Sequence, residues 1–134
     1  MSLIVQKYGG TSVASPERIK KVARRVIQEH NQNNKVVVVV SAMGNTTDRL
    51  INLMNRISTD PHPREVDMLL TTGEQQSIAL LTMAIHKYGY PAISLTGSQA
   101  RIHTDDNHNR AEIKKVDNDR ILQELDRKKI VVVA

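Results

Sequence analysis

The chain has no cysteine, no tryptophan and no phenylalanine among its 134 residues. Without thiols it can build neither a disulfide framework nor a thiolate metal site. Aromatic residues make up 2% of the sequence, so there is little ring surface on which nucleic-acid bases could stack. A net charge of +5 would suit phosphate backbones. The lysines and arginines are interleaved with acids along helical stretches, however, which is the pattern of a solvated helix face. A nucleic-acid partner is therefore not expected. No apolar run approaches the roughly 20 residues a membrane helix needs, and the N-terminus passes at once into a strand pattern instead of a signal-peptide core. These features predict a folded, cytoplasmic protein with no membrane partner. An apolar fraction of 40% and a charged fraction of 25% are ordinary for globular chains and exclude disorder and fibrous architectures. The length suits one domain.

What is present is an alternation of short strand-like runs with longer helical ones, which predicts an α/β protein with a mainly parallel sheet. Leu3, Ile4 and Val5 open a strand that runs out at Gly9 and Gly10. Ser15 is a candidate N-cap and Pro16 suits the first helical position. Ile19, Val22, Ala23, Val26 and Ile27 then recur at i, i+3, i+4, i+7 and i+8, one apolar stripe facing a sheet. After a break at residues 31–34 come five valines, 36–40, the unbroken β-branched run of a strand covered on both faces. Thr47 or Asp48 is expected to cap a helix carrying Leu50, Leu53, Met54 and Ile57. Pro61 and Pro63 interrupt it. Further helix follows through Val66, Leu69, Leu70, Ile78, Leu81, Ile85 and Tyr88, with Gly73 and Glu74 read as a break between two pieces. Residues 92–95 read as a strand, 102–113 as a strand pair or loop, 119–129 as a helix and 130–133 as a second buried strand.

Two loops could carry chemistry. Lys7-Tyr8-Gly9-Gly10-Thr11-Ser12-Val13 lies between a strand and a capped helix. Its glycines let backbone approach a phosphate, its N–H groups donate to oxygens, and Lys7 adds a full charge. Neither GxxxxGK[ST] nor GxGxxG is present, which disfavours those two nucleotide-binding classes. A Gly-Gly pair after a strand is equally an ordinary turn. Residues 41–48, SAMGNTTD, occupy the same position after the valine strand. In a parallel sheet the two loops would share the carboxyl edge, where ligands bind, although Asn, Thr and Asp are also normal turn and cap residues. Glu74 is by itself an acid suited to the first turn of a helix. His103, Asp105, Asp106 and His108 are ligand-type side chains, but the polar run they occupy also suits an exposed loop.

KYGGTSV, SAMGNTTD, TTGEQQS and TGSQA occur in the order and approximate spacing seen in aspartate kinases of the amino acid kinase family, and the resemblance covers nearly the whole chain. It implies a three-layer αβα sandwich with a mainly parallel sheet, here the N-terminal portion of the catalytic domain at residues 1–134 and incomplete at its C-terminus. The activity it implies is transfer of the γ-phosphoryl group of ATP to the side-chain carboxylate of aspartate, the first step towards lysine, threonine and methionine. By the same resemblance Lys7 is catalytic and stabilises charge on the transferring group. Lys7, Tyr8, Gly9, Gly10 and Ser41 bind the nucleotide and its phosphates, while Thr47 and Glu74 bind the substrate, Glu74 pairing with its α-ammonium group. Mg2+ arrives with ATP, held mainly by phosphates, and no protein-bound metal site is implied. The related motif has glycine after TGSQA where this chain has Arg101, so the resemblance assigns that residue no role.

In such relatives the second half of the catalytic domain holds the adenine, and regulatory domains and homo-oligomers are common. The stop at Ala134 is accordingly read as a truncation, and the chain alone is expected to be inactive. The alternatives are another amino acid kinase, acting on glutamate, acetylglutamate or a nucleoside monophosphate, and a noncatalytic fragment that pairs with a complementary chain through its sheet edge.

Overall fold

The computed structural model describes residues 1–108 and 110–134. Its strands are β1 (Leu3–Tyr8), β2 (Lys35–Val40), β3 (Ala92–Leu95), β4 (Ile102–Thr104), β5 (Ile113–Val116) and β6 (Ile130–Val133). Its helices are α1 (Pro16–Asn31), α2 (Thr46–Ile57), α3 (Pro63–Lys87) and α4 (Asp119–Asp126). Four strands form a parallel sheet in the order β1-β2-β6-β3, and β4 with β5 makes a separate antiparallel hairpin. β6 lies between β2 and β3 with all its residues buried. An interior parallel strand meets apolar neighbours on both faces, which is why its sequence is an unbroken Ile-Val run.

Ser15 Oγ accepts the N–H of Arg18 at 3.3 Å and Pro16 takes the first helical position, as the sequence predicts. The stripe of α1 is buried and packs with Val36, Val38, Ile130 and Val132 of the sheet and with Ile78, Leu81 and Ile85 of α3. The opposite sheet face, Val37, Val131, Val133 and Leu95, packs on Leu125 of α4 and on Ala100. Helices on both faces complete an αβα sandwich. The second face is covered unevenly. Val5 pairs in register with Val37, yet Leu3 and Val5 are 54% and 63% exposed.

Three sequence expectations need correction. Residues 63–87 form one helix, with no break at Gly73 and Glu74. A single interior glycine costs a helix only about 1 kcal/mol, and this one is needed for packing. Glu74 therefore lies in mid-helix and not at a helix start. Thr47 and Asp48 do not cap α2 either: the helix begins at Thr46, and the flanking Asn45 makes no side-chain cap bond. Finally, α4 stops at Asp126, short of residue 129, because Lys128 turns into the left-handed region with φ 62°. Arg101 has a similar φ of 60°, a conformation glycine adopts freely and other residues enter at a cost of roughly 1–2 kcal/mol. That geometry would suit the glycine expected here from the resemblance.

Below β6, Glu124 is 2% exposed. Its carboxylate meets Lys129 Nζ at 2.8 Å and the guanidinium groups of Arg120 and Arg127 at 3.3 Å each. The Lys129 hydrogen bond holds it ionised, below the ordinary range, against the opposing effect of burial.

Helix direction places the rest. α3 reaches β3 through Gly89 and Pro91, so it runs antiparallel to the strands. At 1.5 Å per residue its length is roughly 37 Å against about 13 Å for a four-residue strand, and its N-terminal half overhangs the carboxyl edge of the sheet. There three glycines allow close approach, Gly10 to backbone and Gly44 and Gly73 to neighbouring side chains. A Cβ on Gly10 would stand 2.7 Å from the carbonyl oxygen of Ala42. Gly44, at φ 47°, lies against Ala14, and a Cβ on Gly73 would approach Thr46 Cγ2 to 3.1 Å and Ala42 Cβ to 3.3 Å.

Gly10→Ala should consequently lose about 1–3 kcal/mol of stability through overpacking against rigid backbone. Gly9→Ala, which meets nothing within 4 Å, should change it by no more than about 0.5 kcal/mol. Urea unfolding of both variants checks this; equal losses would contradict the close approach.

Candidate functional site

Because the four strands are parallel, the loops after β1, β2, β3 and β6 open at one edge, the edge at which open α/β sheets bind ligands. The first two are tied together directly. The N–H of Ser41 donates to the carbonyl of Tyr8 at 3.2 Å, and that of Gly44 to the carbonyl of Gly10 at 2.9 Å. Residues 10–13 form a single 3-10 turn. Its carbonyl at Thr11 accepts Arg18 Nη1 at 2.6 Å, a brace that sequence spacing did not reveal because the partners are seven residues apart across a turn.

Side-chain alternation divides this edge. Tyr8 packs with the α1 and α3 layer, so Lys7, one residue earlier, points to the other face of the sheet. Lys7 is exposed, and its ammonium group makes no ion pair or hydrogen bond among the described residues. Tyr8 donates its hydroxyl to Gln6 Oε1 at 3.0 Å, and burial pushes its phenol above the ordinary value against the opposing pull of Arg25. It borders a groove of about 270 Å3 lined by Thr11, Ser12, Arg18, Lys21 and Arg25.

Glu74 joins this assembly through its neighbour, since Gly73 seats α3 against Ala42 and Thr46. The cleft that holds Glu74 has a volume of about 400 Å3. Thr71 and Gln75 form its helical wall, and Thr96, Gly97, Ser98 and Ala134 form the wall from the sheet. The carboxylate makes no ion pair among the described residues. Its tip reaches solvent, yet the cleft walls remove part of its hydration, and that burial raises its pKa above the ordinary glutamate value. An unpaired carboxylate in such a place is suited to receiving a cation.

The structure thus gathers Lys7, Tyr8, Gly9, Gly10, Ser41, Thr47 and Glu74 at one end of the molecule. It does not place them in one cavity: Lys7, Ser41 and Thr47 lie outside the lining of the Glu74 cleft. Thr47 is exposed in the first turn of α2, while its buried neighbour Thr46 makes the contact with Gly73. The ligand-type residues of 103–108 are dispersed. Asp105 accepts the N–H groups of Asn107 and Glu112, and His108 Nδ1 meets Asp67 Oδ2 at 2.9 Å. Among the described residues no group of three or more His, Cys, Asp or Glu is placed to hold a metal ion. A separate hollow of about 320 Å3, near Met1, His30 and Lys35, opens at the amino edge, away from these loops.

The profile of the amino acid kinase family matches residues 2–134. The whole chain aligns at 59% identity with an aspartokinase of Geobacillus stearothermophilus and at 52% with aspartokinase 2 of Bacillus subtilis, covering 33% of each. It therefore spans about a third of the length of these relatives. The crystal structure of aspartate kinase from Synechocystis superposes with a TM-score of 0.85 at 51% identity, over 98% of this chain and 21% of that one. E. coli aspartokinase III, in complex with aspartate and ADP, superposes with a TM-score of 0.80 at 17% identity, over 98% of this chain and 40% of that one, a likeness of fold.

The raised pKa of Glu74 has a sign that unfolding can test. The folded chain binds this proton more tightly than the unfolded one, so the associated stability is fully present below the ordinary carboxylate value and is lost as pH rises through the folded value. Glu74→Gln should match the parent below about pH 4 and be at least as stable at neutral pH. A variant less stable at neutral pH would reveal a stabilising partner and contradict the reading.

Proposed function

The chain belongs to the amino acid kinase family, and from that premise we propose that it is the opening part of an aspartate kinase catalytic domain, acting in transfer of the γ-phosphoryl group of ATP to the side-chain carboxylate of aspartate. The observation that carries this reading is the junction at the carboxyl edge, where the KYGGTSV and SAMGNTTD loops are hydrogen-bonded to each other and packed on α3 beside Glu74. Identity to aspartokinases over the whole of this chain, a third of theirs, favours aspartate over the acceptors of other family members. The ligands of the E. coli structure, aspartate and ADP, are of the two classes this edge is proposed to take.

In this proposal Lys7 stabilises negative charge on the transferring phosphoryl group, a role open to a lysine that no carboxylate occupies among the described residues. Phosphoryl transfer asks a protein mainly for positioning and charge stabilisation. Gly9 and Gly10 let backbone come close to the phosphates, with Tyr8 and Ser41 completing the nucleotide side. Thr47 and Glu74 hold the amino acid, Glu74 by pairing with its α-ammonium group. Mg2+ comes with ATP, held mainly by phosphate oxygens, and supplies charge neutralisation when bound. The proposal extends to a cytoplasmic enzyme of the pathway to lysine and threonine that works as a homo-oligomer. Its catalytic domain is completed by chain beyond this third, and β1 offers a place for it: the outer edge has no strand partner among the described residues, and Leu3 and Val5 lie open beside it.

Incubation of this chain with ATP, Mg2+, aspartate and hydroxylamine should trap no aspartyl hydroxamate above background. Supplying the remainder of the catalytic domain, fused or mixed, should produce it. Turnover by the chain alone at the rate of the completed protein would overturn the assignment of a partial site. In the completed protein Lys7→Met should lower kcat by about a hundredfold or more without changing the unfolding midpoint, because Lys7 is exposed and unpaired. Unchanged kcat would remove Lys7 from the chemistry.

A further inference from the structure

The hairpin of β4 and β5 is anchored firmly at its base and lightly elsewhere. At the base Ile102 packs against the second core cluster, and the N–H of Asp117 donates to the carbonyl of Arg101 at 3.0 Å. Arg101 Nη1 meets Asp117 Oδ2 at 3.3 Å. The same base is continuous with one wall of the Glu74 cleft: the N–H groups of Arg101 and Ile102 donate to the carbonyls of Ser98 and Gly97 at 3.0 and 2.9 Å. Along its length the hairpin is poorly covered. Every residue of β5 is exposed, including Ile113 at 66% and Val116 at 53%, and among the described residues the hairpin's strands pair only with each other.

The distal turn is held in shape by the Asp105 carboxylate, which accepts the N–H groups of Asn107 and Glu112 at 3.1 and 3.3 Å. From this turn His108 Nδ1 reaches Asp67 Oδ2 on α3 at 2.9 Å. Asp67, Thr71 and Glu74 stand at i, i+4 and i+7, one stripe of the helix, and Thr71 and Glu74 line the cleft. The hairpin therefore starts at the sheet wall of the cleft and ends one helical turn above its helical wall.

We infer that His108 and Asp67 are positioning residues, whose contact clasps the hairpin across the two walls of the Glu74 cleft and so sets how firmly that cleft holds an ammonium-bearing amino acid. The identity of that ligand rests on the kinase reading above; the clasp itself rests on geometry. An exposed two-stranded hairpin is marginal by itself, so contact between its tip and Asp67 bears directly on whether it lies against α3. When the clasp opens, one side of the cleft loses its fixed distance from Glu74, which weakens binding of the amino acid and leaves the phosphate loops after β1 and β2 untouched.

The test uses the completed protein with L-aspartate as the probe. In His108→Ala and Asp67→Ala, hydrogen exchange in residues 102–104 and 113–116 should quicken by about tenfold, with β2 unchanged. The KM for aspartate should rise by about fivefold or more while kcat and the KM for ATP stay within about twofold, the pattern of lost ground-state binding. Exchanging the partners, His108→Asp with Asp67→His, should recover both readouts, which a merely structural defect would not. Unchanged hairpin exchange in the single variants overturns the clasp, and so does quickened exchange with an unchanged KM for aspartate. A parent protein that phosphorylates no aspartate refutes the kinase reading instead, and the clasp then stands or falls on exchange alone.

Discussion

Everything at the working end of this molecule depends on the distance between two pieces of backbone, Gly10 and the carbonyl of Ala42. The 2.7 Å that a Cβ on Gly10 would leave to that oxygen means that the β1 and β2 loops touch without any side chain between them. Gly44 repeats the device against Ala14, and Gly73 carries it to α3. A parallel sheet aligns its strand ends in any case. Close approach is what turns aligned loops into one rigid platform, and it fixes Lys7 on one side of that platform and Glu74 on the other.

Charge is distributed on the same logic. Glu124, enclosed near the foot of β6, is surrounded by three cations and held ionised. A buried carboxylate without such partners would take up a proton or destabilise the fold. Glu74 has the opposite treatment, partly dehydrated and without a counterion among the described residues. Lys7 is likewise left open.

The layers were legible because burial writes directly into period. The valines of β2, the Ile-Val run of β6 and the α1 stripe each announced their element, and Ser15-Pro16 announced where α1 starts. Legibility failed where a residue serves tertiary contact against local preference. Gly73 and Glu74 suggested a helix break, yet the helix runs through because the missing side chain admits Ala42 and Thr46. Thr47 and Asp48 had the chemistry of caps but stand two and three residues past the cap position at Asn45. Among the candidate residues, motif order pointed to Lys7, Gly10, Ser41, Thr47 and Glu74, which lie at one edge of the sheet. The Arg18 brace and the His108 contact with Asp67 join residues whose spacing carries no period, and only the folded chain displays them.

Lys7 on the phosphate side and Glu74 on the amino-acid side are proposed to serve one site, held together by the glycine-built contact between the loops. Titrating the completed protein, in the presence of ADP and Mg2+, with L-aspartate while following the Lys7 amine and the Glu74 carboxyl by isotope-edited NMR tests it most directly. Both signals should move along a single saturation curve, and Gly10→Ala should abolish the two responses together. Separate curves, or a Glu74 signal that ignores aspartate, would contradict it.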